Sequence, residues 1–292
     1  MAGKTKYFNY DPSVVAAAVA TALFGITTIV HLWQMCRRRT WYFTAFVVGG
    51  FFEVFGFGTR IINAIQNPDY TKAPYIVQTL LILLAPALFA ASIYMILSRL
   101  IRLTEGEHLS FIRSTWLTKI FVLGDVLSFL AQGAGGGQLA SAKTADGINK
   151  GEIMITAGLV IQLLFFALFI LVSILYNVRL RRNPTEASRR TPWQLYFVVL
   201  YVVSGLVLIR SVFRLVEYQQ GQDGELLSKE VYLYVFDAAL MFAAMVVFNI
   251  WHPGRIIAPK HALQKVAHLD PESGSNEHMM QNYQYGGRSA GV

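Results

Sequence analysis

The stretch Arg210-Ser211-Val212-Phe213-Arg214-Leu215-Val216-Glu217 decides how this chain folds. It lies inside a long apolar run, Trp193 to Tyr218. Crossing a membrane takes about 20 apolar residues, and this run supplies them. Three full charges nevertheless sit within its second half. Arg210, Arg214 and Glu217 are spaced i, i+4, i+7 and so share one helical face. A charge at the bilayer midplane costs about 3 kcal/mol or more, so it is kept only where it faces protein or a water-filled cavity. Other helices must therefore supply partners for this face.

The composition agrees with a membrane setting. Of 292 residues, 54% are hydrophobic and only 14% charged, against about 25% charged in an ordinary soluble domain. The apolar residues come in long blocks, without alternation or a heptad. The blocks place spans at about 13–35, 41–64, 75–97, 116–134, 152–176, 193–218 and 229–251. The fold class is thus an all-α membrane protein, a seven-transmembrane-helix bundle over residues 13–252. Residues 1–12 form a short polar N-terminus, and residues 253–292 read as a disordered polar tail. The apolar run after Pro12 is too long for a cleaved signal.

Local features refine this outline. Pro86 falls in mid-span and predicts a kink. Ser98 to Thr115 reads as a segment along the membrane surface. The fourth span is expected to end in Gly133-Ala134-Gly135-Gly136-Gly137, either as a flexible helix end or as an anion-binding nest. His252-Pro253-Gly254 should stop the last helix. The single cysteine, Cys36, excludes a disulfide within the chain. It reads as a buried unmodified thiol, with palmitoylation as the alternative.

Basic residues orient the bundle. Segments at one set of span ends, including the tail, carry 16 of the 25 Lys and Arg, and those at the other carry six. The other three, Arg60, Arg210 and Arg214, lie inside spans. This asymmetry puts the tail in the cytoplasm and the N-terminus outside. It also accounts for the net charge of +8 without nucleic acid as a partner.

Seven intramembrane charges fall on four spans: Glu53, Arg60, Asp125, Arg210, Arg214, Glu217 and Asp237, with a formal sum of −1. Asp125, Ser128 and Gln132 form a stripe at i, i+3, i+7, and Glu230, Tyr234, Asp237 and Met241 form another. Gln162 is the chief polar residue of the fifth span. Counting depth from the span ends brings the charges to one side of the bilayer. One reading is an ion-pair network that fixes helix register. The other is a polar pocket for the head group of an amphiphile, with carboxylates for an amine and arginines for phosphate or hydroxyls. The candidate binding residues are Glu53, Arg60, Asp125, Ser128, Gln132, Gln162, Arg210, Arg214, Glu217, Tyr234 and Asp237. No phosphate loop of the GxxxxGK[ST] type and no HExxH pattern occurs. An enzymatic role is therefore not expected, and no catalytic residue, cofactor or metal site is assigned. His31 and His252 are weak candidates as haem ligands.

The chain resembles the fungal RTA1-like family, also called lipid-translocating exporters. The resemblance runs through Tyr10 and Pro12, His31, Glu53, Gly56 and Arg60, and Leu84-Ala85-Pro86 with Ala90, Ala91 and Tyr94. Asp125, Ser128, Gln132-Gly133 and Gly135-Gly136-Gly137 are similar to the family's D-x-x-S-x-x-x-Q-G-x-G-G-G pattern. Gly158 and Gln162, then Arg210, Phe213, Arg214 and Glu217, then Glu230, Tyr234, Asp237 and His252-Pro253-Gly254 continue it. Phe57 stands where a tyrosine is expected, and the tail is not covered. The resemblance implies seven spans with the N-terminus outside, a fungal plasma or other cell membrane, and a role with amphiphiles. Sphingoid bases, sterol-like toxicants and porphyrins are the implied ligand classes, so a porphyrin or haem enters as a ligand.

Three readings of function follow. The first is a translocator or exporter of membrane lipids and related amphiphiles, moving them passively or with proton binding at a buried carboxylate. The second is a seven-span receptor or lipid sensor that binds an amphiphile without moving it. The third, an intramembrane lipid hydrolase, lacks a metal constellation. The sequence does not set the oligomeric state.

Overall fold

The computed structural model describes residues 10–66, 71–142, 144–220, 226 and 229–255. The expected disordered tail beyond residue 255 and residues 1–9 of the polar N-terminus lie outside the described residues.

Seven helices are long and apolar enough to cross a membrane. They are α1 (Val14–Arg38), α2 (Thr44–Ile65), α3 (Lys72–Leu103), α4 (Ser114–Ser141), α5 (Ala145–Arg182), α7 (Trp193–Gln219) and a last span, Glu230–Ile250. A short helix, α6 (Glu186–Arg190), precedes α7. The last span is composite: α8 (Glu230–Leu233), a π turn (Tyr234–Ala238) and α9 (Ala239–Ile250). Local chemistry marks the ends. Ser13 and Thr144 cap α1 and α5 by accepting the amides of Ala16 and Gly147. Arginines crowd the last turns of α1 and α5, where they complement the helix dipole.

Each span packs on its neighbours in chain order, and the last closes on α1. Helix α3 is the most buried of the seven and also touches α5 and α7, so it forms the centre of the bundle. The core is aromatic: Phe46 stacks on Phe89 at 4.3 Å, and Tyr94 meets Phe169 at 4.5 Å between ring centroids. Facing outward, Val15, Ile26, Ile29 and Trp33 of α1 and Leu164 and Leu171 of α5 are exposed apolar residues suited to lipid. The 32 residues of α3 span about 48 Å at 1.5 Å per residue, more than the roughly 30 Å of hydrocarbon.

Three expectations change. Helix α3 continues to Leu103, so Ser98–Leu103 belongs to the bundle, with Leu100 and Ile101 fully buried. Helix α4 runs through all its glycines to Ser141, so they form neither a helix end nor a nest. Of this run Gly135 serves contact instead, while Gly133, Gly136 and Gly137 border open space. A Cβ on Gly135 would stand 2.7 Å from the Gly151 carbonyl oxygen, and one on Gly158 would stand 2.8 Å from that of Ser128. The α4–α5 backbones thus meet through small residues, as membrane helices do. Cys36 is exposed, not buried.

Candidate functional site

The first polar region lies among α2, α3, α7 and the last span. Asp237, on the π turn, is 1% exposed. It accepts from Arg210 Nε on one oxygen and from Arg214 Nη2 on the other. Arg214 also donates to Glu217 at 2.9 Å, so the i, i+4, i+7 face of α7 closes on itself through the last span. Nearer the Glu230 end, Arg60 Nη2 donates to Glu230 Oε1 at 2.7 Å and to the Tyr10 hydroxyl at 2.8 Å. Arg60 Nε donates to the Tyr234 hydroxyl at 3.2 Å. Glu230 in turn accepts the Ser13 amide, which ties the start of α1 to the start of the last span. The three arginines therefore each face a carboxylate. Glu53 is near enough to interact electrostatically with Asp237, Arg210 and Arg214, yet forms no ion pair among the described residues.

This region is joined to the kinked helix. Pro86 has no amide hydrogen, so the Ile82 carbonyl four residues earlier loses its helical donor. Arg210 Nη2 donates to that carbonyl at 2.9 Å. One guanidinium thus satisfies both Asp237 and the backbone gap that Pro86 leaves. The π turn matters here too. Such turns are rare and insert an extra residue into a helix, and this one carries both Tyr234 and Asp237.

The second region lies between α3, α4 and α5. Asp125 is 5% exposed, and neither of its oxygens has a hydrogen-bond partner. Tyr94 of α3 stands opposite it, close enough to interact electrostatically, but its hydroxyl also lacks hydrogen-bond geometry. Further along α4, Ser128 donates to the Gly158 carbonyl at 2.6 Å. Gln132 Nε2 donates to Ser128 Oγ at 2.8 Å and to Gln162 Oε1 at 3.1 Å. Gln132 Oε1 has no partner. Free acceptors thus recur along one face of α4, with no cation opposite them among the described residues.

The candidate residues separate into these two groups. Glu53, Arg60, Arg210, Arg214, Glu217, Tyr234 and Asp237 come together, and Asp125, Ser128, Gln132 and Gln162 come together elsewhere. A single pocket holding all seven charges is therefore not formed. Tyr94, Tyr10 and Glu230 were not among the expected binding residues. Glu230 carried a signal, its i+4 spacing to Tyr234. The Asn63–Gln78 bond, 2.8 Å and buried between α2 and α3, had none.

His31 and His252, the haem-ligand candidates, lie at the opposite end of the bundle and are 0% exposed. His31 Nε2 is 3.0 Å from the Met245 carbonyl oxygen, which only accepts, so this nitrogen donates. His252 Nδ1 accepts the Gly254 amide at 3.0 Å. Burial, with Arg38 and Arg255 nearby, pushes His252 down to about 4, so it is neutral near pH 7 and can accept. Phe43 and Phe46 enclose the two rings. Among the described residues, no three His, Cys, Asp or Glu side chains gather as a metal site.

The chain is also similar to known proteins along most of its length. A family model described as "RTA1 like protein" matches residues 46–260. Protein RTA1 of Saccharomyces cerevisiae is 36% identical over 273 residues, 84% of this chain and 84% of that protein. The protoporphyrin uptake protein 1 of the same yeast is 38% identical over 281 residues, 83% of this chain and 90% of its own. Its sphingoid long-chain base transporter RSB1 is 27% identical over 305 residues, 91% and 79% of the two chains. No solved structure matches. With the family model covering most of the seven spans, this chain is an integral multi-pass membrane protein that belongs to the RTA1-like family.

Proposed function

We propose that this protein is a carrier of lipids and related amphiphiles, acting in the plasma membrane, with no catalytic step of its own. The charged end of the cargo enters the α3–α4–α5 face at Asp125. Its apolar part stays in lipid or between the helices. One observation carries the proposal: Asp125 is a buried carboxylate that, among the described residues, meets no cation and completes no hydrogen bond, with only the Tyr94 hydroxyl opposite it. A carboxylate in hydrocarbon demands a positive partner, and an ammonium head group supplies one with three donors. Tyr94 stands beside it, and Gln132, seven residues on, lies about 10 Å along the helix axis and offers the next acceptor. A head group can step along this face.

Relatives named for protoporphyrin uptake and for sphingoid long-chain base transport support amphiphilic cargo. Porphyrins enter the proposal as cargo, and His31 and His252 are not asked to ligate iron. The basic-residue asymmetry supports an outside N-terminus. The test is flux of a fluorescent amine-headed lipid in vesicles reconstituted with the full chain. Asp125→Asn should reduce flux by at least tenfold with the helical content intact. Undiminished flux in that variant would overturn the proposal. Binding of the lipid by the parent chain without any flux would instead favour the sensor reading.

A further inference from the structure

A second, chemically different site lies at the opposite end of the bundle from Glu230. Between the end of α5 and the start of α7, beside α6, there is a cavity of about 540 Å³. Its lining includes Arg181, Arg189, Pro192, Trp193, Gln194 and Leu195, and no carboxylate. Among the described residues neither arginine pairs with a carboxylate. Arg181 Nε donates to the neutral Asn177 Oδ1 at 3.2 Å, which leaves its terminal amino groups available. The only acid of α6, Glu186, pairs with Arg190, and Arg189 has no carboxylate partner among the described residues. The nearby hydroxyls are committed: Ser188 Oγ donates to the Thr185 carbonyl and Thr191 Oγ1 to that of Ala187. The charged donors of the lining are thus two guanidinium groups, whose forked geometry matches phosphate oxygens.

The site is also held in place. Thr185 Oγ1 donates to the Thr104 carbonyl at 2.5 Å and anchors α6 to the end of α3. From the cavity an apolar strip leads along α7. Leu195, Val198 and Val202 are 46%, 53% and 47% exposed and recur at i, i+3, i+7. A span end is where the head groups of a bilayer lie, and this end carries most of the basic residues.

We propose that this cavity binds the phosphate of an anionic phospholipid, whose acyl chains lie along the exposed strip of α7. This lipid is a bound neighbour and is distinct from cargo at Asp125. The proposal stands whether or not the chain is a carrier.

The test is native mass spectrometry of the purified full chain, loaded with equal amounts of phosphatidic acid and phosphatidylcholine. The parent chain should retain one phosphatidic acid in preference to phosphatidylcholine. Arg181→Gln with Arg189→Gln should cut that preference roughly tenfold or more, about fivefold for each arginine near a membrane surface. Arg190→Gln, outside the lining, should leave it unchanged. Should the double variant fold poorly, Arg189→Gln alone, on an exposed side chain, should still lower the preference about fivefold. No preference in the parent chain, or an undiminished one in the Arg189 variant, would overturn the proposal. So would displacement of the lipid by an equal concentration of inorganic phosphate, which would make free phosphate the ligand.

Discussion

Asp237 and Asp125 are both carboxylates buried inside one bundle, at 1% and 5% exposure, and they are held in opposite ways. Asp237 receives two arginines from α7, and one of those also fills the carbonyl gap behind Pro86. Asp125 receives nothing that completes a hydrogen bond. The first region has the character of a joint: all its charges but Glu53 are spent on one another, and they link α2, α3, α7 and the last span. The second has the character of a binding face, since among the described residues Asp125 meets no cation and only the Tyr94 hydroxyl stands beside it. In a low-dielectric interior this difference has a sign. A buried pair broken on one side leaves an uncompensated charge, whereas an unpaired charge removed relieves one.

The largest effect should come from breaking the joint. Asp237→Asn leaves Arg210 and Arg214 without their shared carboxylate, and loss of one partner from a buried pair costs about 3–5 kcal/mol. We expect a low yield of folded protein and a large drop in thermal midpoint, read by helical signal on heating. The same change at Asp125 should have the opposite character. Asp125→Asn should hold or raise the midpoint while cutting amine-lipid flux at least tenfold. Should both variants unfold alike, the distinction between joint and binding face would fail.

The seven spans were legible in the sequence because length and charge content suffice to specify them. The partners of Arg210, Arg214 and Glu217 were legible only in part. Depth can be counted along a helix, and it placed Asp237 near Arg210. The direction each helix faces within the ring cannot be counted. That is why Asp125, at a suitable depth, was grouped with charges it does not meet. The glycines of α4 were misread for a related reason. Glycine is a poor helix former in water, but between membrane helices its small size permits the close approach seen at Gly135 and Gly151. The bond from Arg210 to Ile82 spans 128 residues and had no sequence signal, although Pro86 itself announced that a carbonyl would be left free.

A smaller effect is expected at that bond. In Pro86→Ala the new amide can reach the Ile82 carbonyl and displace Arg210 from it. One hydrogen bond replaces another, and Arg210 keeps Asp237. Stability should therefore change by no more than about 1 kcal/mol, the usual worth of one such bond. A drop as large as that of Asp237→Asn would mean that the joint depends on the kink as much as on its charges.

The smallest effect should come from Glu53, which tests the comparison from inside the joint. Glu53 is 1% exposed and sits beside Asp237, Arg210 and Arg214, yet it makes no ion pair. Counting the three arginines of this region against Glu53, Glu217, Glu230 and Asp237 leaves one negative charge over, and Glu53 is the carboxylate without an arginine of its own. If pairing rather than position decides what a buried carboxylate does, Glu53→Gln should shift stability by less than about 1 kcal/mol, because no partner is stranded. Thermal midpoints of the parent, Glu53→Gln and Asp237→Asn chains, measured side by side, separate the two ideas. A Glu53 variant as unstable as the Asp237 variant would show that the whole cluster acts as one unit, and that the boundary between joint and binding face does not follow pairing.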